Sequence, residues 1–323
     1  MSDPVAETPA GTGIPPQNAP RDRGDLFTLS AGTYQAQVST VGAIVESLSI
    51  EGRDLLVRNP EQGPMQHFRG GIVAPWPNRI GDGKYTWDGQ EIQAALTEPE
   101  RGNALHGLIA FHPFTAATVA EDEVILRGEL FPSTGYPFHL LLTVRHALDA
   151  ETGLTTTVTA RNIGHADAPY GVCPHPYLVA GPEPLDTWSL HFEAETVLTV
   201  TEDRLLPTGT APVADGSEFD FRAPRVIGDL FIDHAFTDLG RDADGRLRVS
   251  VSAPGGTGVE LTAGEECGWL QVHTADRPEP ENNRVGLAVE PMTCPPDAFR
   301  SGVDVVRLSP DQEFSASWSI RGW

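Results

Sequence analysis

The chain has 323 residues and a formal net charge of −23, because 45 Asp and Glu residues outweigh 22 Lys and Arg residues. This balance excludes a nucleic-acid-binding protein and a polybasic membrane-surface protein, since both need a basic surface. Lys84 is the only lysine, and no Gly-x-x-x-x-Gly-Lys-Ser/Thr loop is present. The sequence therefore excludes P-loop nucleotide chemistry and argues against a lysine Schiff base.

The composition, 39% hydrophobic and 21% charged, is typical of a soluble globular protein. No stretch of 18 apolar residues predicts a membrane span, and the N-terminal residues lack the pattern of a signal peptide. The three cysteines, Cys173, Cys267 and Cys294, form no Cys-x-x-Cys pair, so neither a disulfide framework nor a metal site is expected. We expect a cytoplasmic protein that uses no metal and no cofactor.

Residues 1–24 are rich in Pro, Gly, Ala and Thr and contain few large apolar residues, which predicts a disordered leader. Residues 25–323 contain no linker that would separate domains and no repeat of fixed period. We therefore expect a single domain over residues 25–323. The oligomeric state is not fixed by the sequence, and a monomer or a homodimer is expected.

Alternation of apolar and polar residues is the dominant pattern after the leader and predicts β-strands. It is clearest in residues 138–146, 154–160, 247–252 and 314–320. Asp-Gly and Gly-Gly pairs between such segments predict turns. Residues 296–299 could begin one turn of helix and no more. The pattern predicts an all-β protein whose large antiparallel sheets pack as a β-sandwich.

The first candidate site residues lie in a Pro-Trp-Pro-Asn-Arg segment. Trp76 could stack on a sugar face, and Asn78 and Arg79 could donate hydrogen bonds to hydroxyl groups. The alternative is a polar turn before a hairpin, with the arginine in solvent. His106, between a leucine and a glycine, is either a structural histidine or a ligand-binding one.

Three further residues combine acid–base chemistry with apolar surroundings. His175 lies between two prolines that stiffen its backbone, with Tyr177 two residues later, and an ordinary pKa near 6.5 suits proton transfer. A buried turn histidine would give the same pattern. Asp233 interrupts an apolar run, where it caps a turn or binds a ligand hydroxyl. Glu290 ends an apolar stretch, and charged side chains are rarely buried without a partner.

In chain order these segments resemble the aldose 1-epimerase (mutarotase) family, whose fold is the galactose mutarotase-like supersandwich. The resemblance extends over residues 25–323 and is closest to a bacterial subgroup, some of whose members have been linked to modified sugars such as sulfoquinovose. The matching landmarks are residues 77–80, 85–89, 105–107, 135–138, 175–178, 206–209, 232–234 and 290–299.

The resemblance implies an enzyme that interconverts the α and β anomers of a free aldohexose by acid–base opening and closure of the ring. It implies that Glu290 is the base for the C1 hydroxyl and that His175 is the acid for the ring oxygen. The residues that it assigns to sugar binding are Asn78, Arg79, His106, Asp233, Tyr177 and Trp76, the last two as wall residues. Neither a metal nor a nucleotide is needed for this reaction.

Two departures from the family pattern concern the substrate. Members that act on galactose commonly carry a Gln in the loop before the catalytic Glu, whereas residues 277–284 contain none. The usual Thr-His-x-Tyr-Phe-Asn-Leu segment is replaced by Pro-His-Pro-Tyr-Leu-Val-Ala over residues 174–180. Because the acid–base pair is retained, these departures bear on the identity of the sugar more than on the reaction.

Three alternatives stay open at this point. A hexose-6-phosphate or sulfosugar 1-epimerase would need arginines near the anion, and the net charge of −23 argues mildly for a neutral sugar instead. A non-catalytic carbohydrate-binding protein is expected to lack His175 or Glu290, and both are present. A glycoside hydrolase or lyase would also use a carboxyl group on a β scaffold, and a hydrolase usually needs a second carboxylate, for which Asp233 is a candidate.

Overall fold

The computed structural model describes residues 21–323. Residues 1–20, most of the predicted leader, lie outside the described residues. At the end of that segment Arg21–Arg23 form a turn of 3-10 helix. The buried Arg23 side chain donates a hydrogen bond of 2.6 Å to Glu46, which fixes this segment to the rest of the chain.

The described residues form 27 strands and very little helix. The first fourteen strands are β1 (Leu26–Ala31), β2 (Tyr34–Ser39), β3 (Val45–Ile50), β4 (Arg53–Asp54), β5 (Ile72–Val73), β6 (Arg79–Gly81), β7 (Lys84–Trp87), β8 (Gln90–Gln93), β9 (Asn103–Leu105), β10 (Thr115–Val119), β11 (Glu123–Leu130), β12 (Leu140–Asp149), β13 (Gly153–Asn162) and β14 (Ala168–Tyr170).

The remaining strands are β15 (Cys173–Pro174), β16 (Tyr177–Leu178), β17 (Ser189–His191), β18 (Ala194–Val200), β19 (Pro207–Pro212), β20 (Arg225–Val226), β21 (Asp233–Leu239), β22 (Leu247–Ser252), β23 (Gly258–Ala263), β24 (Trp269–His273), β25 (Leu287–Met292), β26 (Val306–Leu308) and β27 (Glu313–Gly322). A second 3-10 turn covers Leu185–Thr187. The short helix α1 (Ala298–Ser301) confirms the single helical turn that the sequence predicts.

A nine-stranded antiparallel sheet forms one large layer, in the order β10-β11-β12-β13-β27-β23-β22-β17-β20. The four segments with the clearest alternation all lie in it, as β12, β13, β22 and β27. Every second residue of β12 and β22 is buried, so one face of this sheet carries the core. The other face carries Ser and Thr side chains, such as Thr155 and Ser319, whose hydroxyls lie 2.8 Å apart.

A six-stranded antiparallel sheet forms the second layer, in the order β16-β25-β24-β21-β18-β19. Two adjacent strands, β24 and β25, are covered on both faces, because all six residues of β25 and four of the five residues of β24 are buried. A strand buried on both faces shows no alternation in sequence. Any polar side chain on these strands is therefore held inside the protein.

Smaller sheets connect and extend these two layers. A four-stranded sheet has the order β1-β2-β3-β4, and β5 pairs with β15, β6 with β9, β7 with β8 and β14 with β26. A large cluster of buried hydrophobic residues extends from Phe27 to Ile320 through both layers. The predicted all-β sandwich is confirmed. Within residues 21–323 no helix is long and apolar enough to cross a membrane.

Candidate active site

A cleft of about 640 Å³ gathers most of the polar residues that the sequence singles out. Six of the eight predicted site residues line it, namely Asn78, Arg79, His106, His175, Asp233 and Glu290. These residues come from separate parts of the chain and from both sheets and loops. A volume in this range is typical of a small-molecule site.

The register of the six-stranded sheet brings four of the cleft residues together. Gln271 of β24 lies opposite Glu290 of β25, and His273 of β24 lies opposite Asp233 of β21. Because side chains two residues apart on a strand share a face, Gln271 and His273 point to the same side. The sheet thus presents two carboxylates, an amide and an imidazole side by side.

His175 and Glu290 form the central pair of the cleft. His175 Nε2 lies 3.4 Å from Glu290 Oε1, and the two residues are 5% and 2% exposed. Burial raises the pKa of Glu290 well above its ordinary value, and the negative charge of Asp233 raises it further. Burial also lowers the pKa of His175, and the nearby His273 lowers it further. Both shifts favour the uncharged forms, so the proton of the pair lies on Glu290 and the His175 imidazole is neutral.

The backbone around His175 explains its fixed position. Its amide N donates to Gly71 O and its carbonyl accepts from Gly70 N, each at 2.9 Å. The ring of Tyr177 stacks on the imidazole with a centroid distance of 5.3 Å. The Cys173 thiol, two residues before His175, lies 3.9 Å from the second oxygen of Glu290. Both members of the pair are therefore held by neighbours from the same short segment.

Arg79 is held by a carboxylate that the sequence analysis did not identify. Its Nε and Nη2 donate to the two oxygens of Glu98, each at 2.9 Å, and both side chains are buried. Burial raises the pKa of Glu98, but the hydrogen bonds and charge of Arg79 outweigh burial and leave the pKa below its ordinary value. Since the guanidinium is neutralised in this way, Arg79 acts in the cleft as a fixed donor rather than as a free charge.

His106 is positioned by the short pairing of β6 with β9. Its backbone N donates to Asn78 O at 2.7 Å, and both residues adopt positive φ angles. Its ring packs edge-on against His175, with centroids 5.0 Å apart, and against Phe68 at 4.5 Å. Burial and the neighbouring His175 and Arg79 lower the pKa of His106 well below its ordinary value, so the imidazole is neutral near pH 7.

Asp233 is an ionised carboxylate beside Glu290. Burial raises its pKa, but His273, Arg79 and a hydrogen bond of 2.7 Å from Gln271 Nε2 outweigh burial and leave the pKa below its ordinary value. Asp233 Oδ2 also lies 3.8 Å from His273 Nδ1. Its negative charge is one cause of the raised pKa of Glu290, so two carboxyl groups of opposite character share the cleft.

The two predicted wall residues do not line the cleft. Trp76 is 3% exposed and packs in the core against Tyr136 and Phe299, with ring centroids 6.5 and 5.7 Å away. The prediction that Trp76 contacts the sugar is therefore wrong, because the indole is covered by other aromatic rings. Tyr177 is 1% exposed and supports His175 from behind.

Several cleft residues escaped the sequence analysis, namely Glu98, Gln271, His273, His67 and Arg277. Polar atoms of Gln271, His273 and Arg277 are buried without a hydrogen-bond partner among the described residues. Buried polar groups are normally paired, so such atoms mark places for the hydroxyls of a ligand. A signal was present for His273, because it directly follows a mostly apolar run of residues, as Glu290 does.

Comparisons with known proteins identify the family of this chain. The family model described as aldose 1-epimerase matches residues 25–321. The uncharacterized protein YihR of Escherichia coli K12 is 34% identical over 300 residues, which cover 93% of this chain and 94% of YihR. Galactose mutarotase of Rattus norvegicus is 27% identical over 222 residues, 63% of this chain and 62% of the rat protein.

A solved structure shows the same fold. The crystal structure of a GalM/aldose epimerase homologue from C. elegans superposes with a TM-score of 0.80 and covers 92% of this chain and 98% of its own. The sequence identity of that pair is 16%, so this likeness concerns the fold alone.

Proposed function

Because the chain belongs to the aldose 1-epimerase family, we propose that it interconverts the α and β anomers of a free aldohexose by opening and reclosing the sugar ring. The observation that carries this proposal is the buried pair of His175 and Glu290, 3.4 Å apart within a cleft of monosaccharide-binding size. Mutarotation needs one acid and one base at the anomeric centre, and this pair supplies both.

The reaction moves two protons and breaks one C–O bond. Glu290 takes the proton of the C1 hydroxyl, His175 gives a proton to the ring oxygen, and the bond between C1 and the ring oxygen opens. The aldehyde then turns about the C1–C2 bond, and reclosure with the proton transfers reversed gives the other anomer. The pair holds one proton before and after the reaction, and the reacting form is the one in which that proton lies on His175 and Glu290 is ionised.

The other cleft residues hold the sugar. Arg79, fixed by Glu98, donates hydrogen bonds to sugar oxygens, and the neutral His106 donates or accepts beside it. Asp233 accepts hydrogen bonds from hydroxyl groups, and its negative charge raises the proton affinity of Glu290. Asn78 supports both His106, through its carbonyl, and Arg79, through its side-chain oxygen.

The test is the rate at which freshly dissolved α-D-glucose or α-D-galactose reaches equilibrium, followed by polarimetry. The wild-type protein should accelerate it, and Glu290→Gln and His175→Ala should each remove most of the gain, about 10²–10⁴-fold for general acid–base catalysis. Glu281→Gln, an exposed change in the loop before β25, is the matched control and should retain the rate. Full activity in both site variants would reject these roles.

A carbohydrate-binding protein without catalysis remains the alternative outcome of this test. Calorimetry would then show binding of a sugar that the protein does not equilibrate. The intact pair of His175 and Glu290 supports catalysis over binding alone, because binding does not require an acid and a base at 3.4 Å.

We also propose a cytoplasmic location. Cys173, Cys267 and Cys294 are all free and buried, as is usual for a protein of a reducing compartment. Immunodetection of the chain in the cytosolic fraction of its host tests this proposal, and recovery in the secreted fraction would reject it.

A further inference from the structure

Two stretches of the cleft wall lie far apart in sequence but are joined by one side chain. The first is the loop of residues 201–206 between β18 and β19, and the second is the segment of residues 98–103, which leads into β9. Arg204 of the loop is half-buried, and its guanidinium group reaches residues of the second stretch. Within residues 21–323, every hydrogen bond between the two stretches involves Arg204. The way in which these two parts of the wall meet therefore depends on this arginine.

The guanidinium group of Arg204 donates to four acceptors outside its own loop. Its Nε donates to Arg101 O at 2.8 Å, and its Nη2 donates to Gly102 O at 2.9 Å, to Asn103 Oδ1 at 3.2 Å and to Asp82 Oδ1 at 2.8 Å. In return, Asn103 Nδ2 donates to Arg204 O at 3.1 Å. Because the donors of a guanidinium group form a planar fork, these contacts fix the direction of the second stretch as well as its distance.

The loop of residues 201–206 does not need Arg204 for its own shape. Thr201 N donates to Leu206 O at 2.9 Å, and Leu205 N donates to Thr201 O at 3.0 Å, so the backbone turn closes on itself. The side chain of Leu206 is buried, which anchors the end of the loop. We therefore expect Arg204 to decide how the loop meets the second stretch rather than whether the loop forms.

Asn103 connects Arg204 to the sugar-binding groups of the cleft. Its side chain is fully buried, accepts a hydrogen bond from Arg204 and donates from Nδ2 to Glu98 Oε2 at 2.9 Å. Glu98 in turn accepts both hydrogen bonds that fix Arg79. A continuous path of hydrogen bonds therefore leads from Arg204 to Arg79. Because a buried amide finds no water to replace a lost partner, a change at Arg204 is expected to alter the support of Arg79.

We propose that Arg204 is a positioning residue for the reaction, which joins the two stretches of the cleft wall and fixes the direction of the Arg79 donors. The effect passes through Asn103 and Glu98, and the proposal rests on the proposed epimerase function. Arg204 does not line the cleft itself, so it acts on the substrate only through these neighbours. A misplacement of about 1 Å in a group that binds substrate can lower a rate about a hundredfold, even when the changed residue is remote from the reacting atoms.

The test is the split between KM and kcat in Arg204→Gln, measured by polarimetry. The substrate is the sugar that the wild-type protein equilibrates fastest among glucose, galactose, glucose 6-phosphate and sulfoquinovose. We expect KM to rise about tenfold and kcat to stay within about threefold, because Arg79 holds the sugar in the ground state and in the transition state alike. Arg204→Lys should fall in between, since it keeps a positive charge near Asp82 but loses the planar fork of donors.

Arg241→Gln is the matched control for the loss of an arginine that joins two segments. Arg241 is also half-buried and donates to the carbonyl groups of Gly264 at 3.0 Å and Cys267 at 2.8 Å. It follows the last residue of β21, whereas Asp233 in the cleft is the first residue of that strand. We expect the KM of Arg241→Gln to equal that of the wild type. An equal rise of KM in Arg241→Gln and Arg204→Gln would overturn the proposal.

A second comparison separates positioning from a general loss of stability. In Glu98→Gln, Arg79 has already lost its fixed orientation, so the further change Arg204→Gln should raise KM by less than about threefold. A purely structural role would give the same rise in both backgrounds. An unchanged KM in Arg204→Gln, or an equal rise with and without the change at Glu98, would overturn the positioning role.

Hydrogen exchange measured by mass spectrometry tests the tie between the two stretches without any substrate. Peptides from residues 98–106 should exchange faster in Arg204→Gln than in the wild type, whereas Arg241→Gln should leave their exchange unchanged. Equal exchange of this segment in the wild type and in Arg204→Gln would overturn the proposal. If no sugar is equilibrated, the proposed function fails, and this exchange still decides whether Arg204 holds the wall of the cleft.

Discussion

Replacement of Glu98 by Gln tests the buried ion pair that fixes Arg79. Glu98 accepts two hydrogen bonds of 2.9 Å from Arg79 and one of 2.9 Å from Asn103, and its side chain is 4% exposed. A glutamine offers one acceptor oxygen and turns an NH2 group toward donors. Removal of one partner from a buried ion pair costs about 3–5 kcal/mol, and because one acceptor remains we expect a loss of about 3 kcal/mol in unfolding free energy.

Urea denaturation followed by tryptophan fluorescence measures this loss, and polarimetry measures the accompanying fall in kcat/KM. We expect that fall to be about tenfold or more, since Arg79 loses its fixed orientation. Glu100→Gln is the control, because Glu100 also lines the cleft but is exposed and forms no ion pair within the described residues. If the unfolding free energies of the two variants agreed within about 0.5 kcal/mol, the reasoning from the buried pair would be refuted.

Three further predictions concern buried titratable groups. Burial lowers the pKa of His146 to about 4. As the pH drops from about 6.5 to about 4, His146 therefore becomes protonated in the unfolded chain but not in the folded protein, and the stability of the fold falls. In His146→Gln, the decrease in unfolding free energy over this pH range should be smaller than in the wild type by up to about 3 kcal/mol, as measured by urea denaturation at each pH. The same pH dependence in both proteins would contradict this prediction. Cys173→Ala should lower kcat/KM about fivefold or less, because it removes one weak donor to Glu290. Cys173→Ser should restore kcat/KM. A loss in Cys173→Ala as large as that of Glu290→Gln would contradict a supporting role for Cys173. Asp233→Asn should move the alkaline limb of the kcat/KM profile to lower pH. That limb marks loss of the single proton of the His175 and Glu290 pair, and the charge of Asp233 helps to raise the pKa of Glu290, which holds this proton. An unmoved limb would speak against this coupling.

The nine-stranded sheet was predictable from sequence because one of its faces meets solvent. Its strands β12 and β13 alternate between buried and less buried residues, and the sequence shows the same period of two. The six-stranded sheet carries much of the site but gives no such signal. Its strand β25 is buried at every position, so periodicity does not distinguish it from any other apolar run.

The site was predictable where a residue stands out from its immediate neighbours. His175 between prolines and Glu290 at the end of an apolar run are local signals, and the structure brings the two within 3.4 Å. Glu98 lies in a segment that resembles a solvated loop, and its burial depends on the pairing of β6 with β9. Gln271 reaches the cleft through cross-strand register, which no short segment specifies.

Trp76 was predicted to lie in the site but does not, whereas Glu98 and Gln271 lie in the site but were not predicted. An aromatic residue between prolines resembles a stacking platform, but the indole turns into the core and packs against Phe299 from α1. The direction of a side chain on a short turn depends on which distant elements cover it. Local sequence therefore identified the segment as important but assigned the tryptophan to the wrong side of it.

Polarimetry of an α-aldose beside its methyl α-glycoside isolates ring opening at a free anomeric centre. We expect the protein to accelerate equilibration of at least one sugar among glucose, galactose, glucose 6-phosphate and sulfoquinovose. The rotation of methyl α-D-glucoside should stay constant, because the C1 oxygen of that glycoside carries no proton for Glu290 to remove. A changing rotation of the methyl glycoside, or no acceleration of any of the four sugars, would show that the protein does not open the ring of a free aldose in this way.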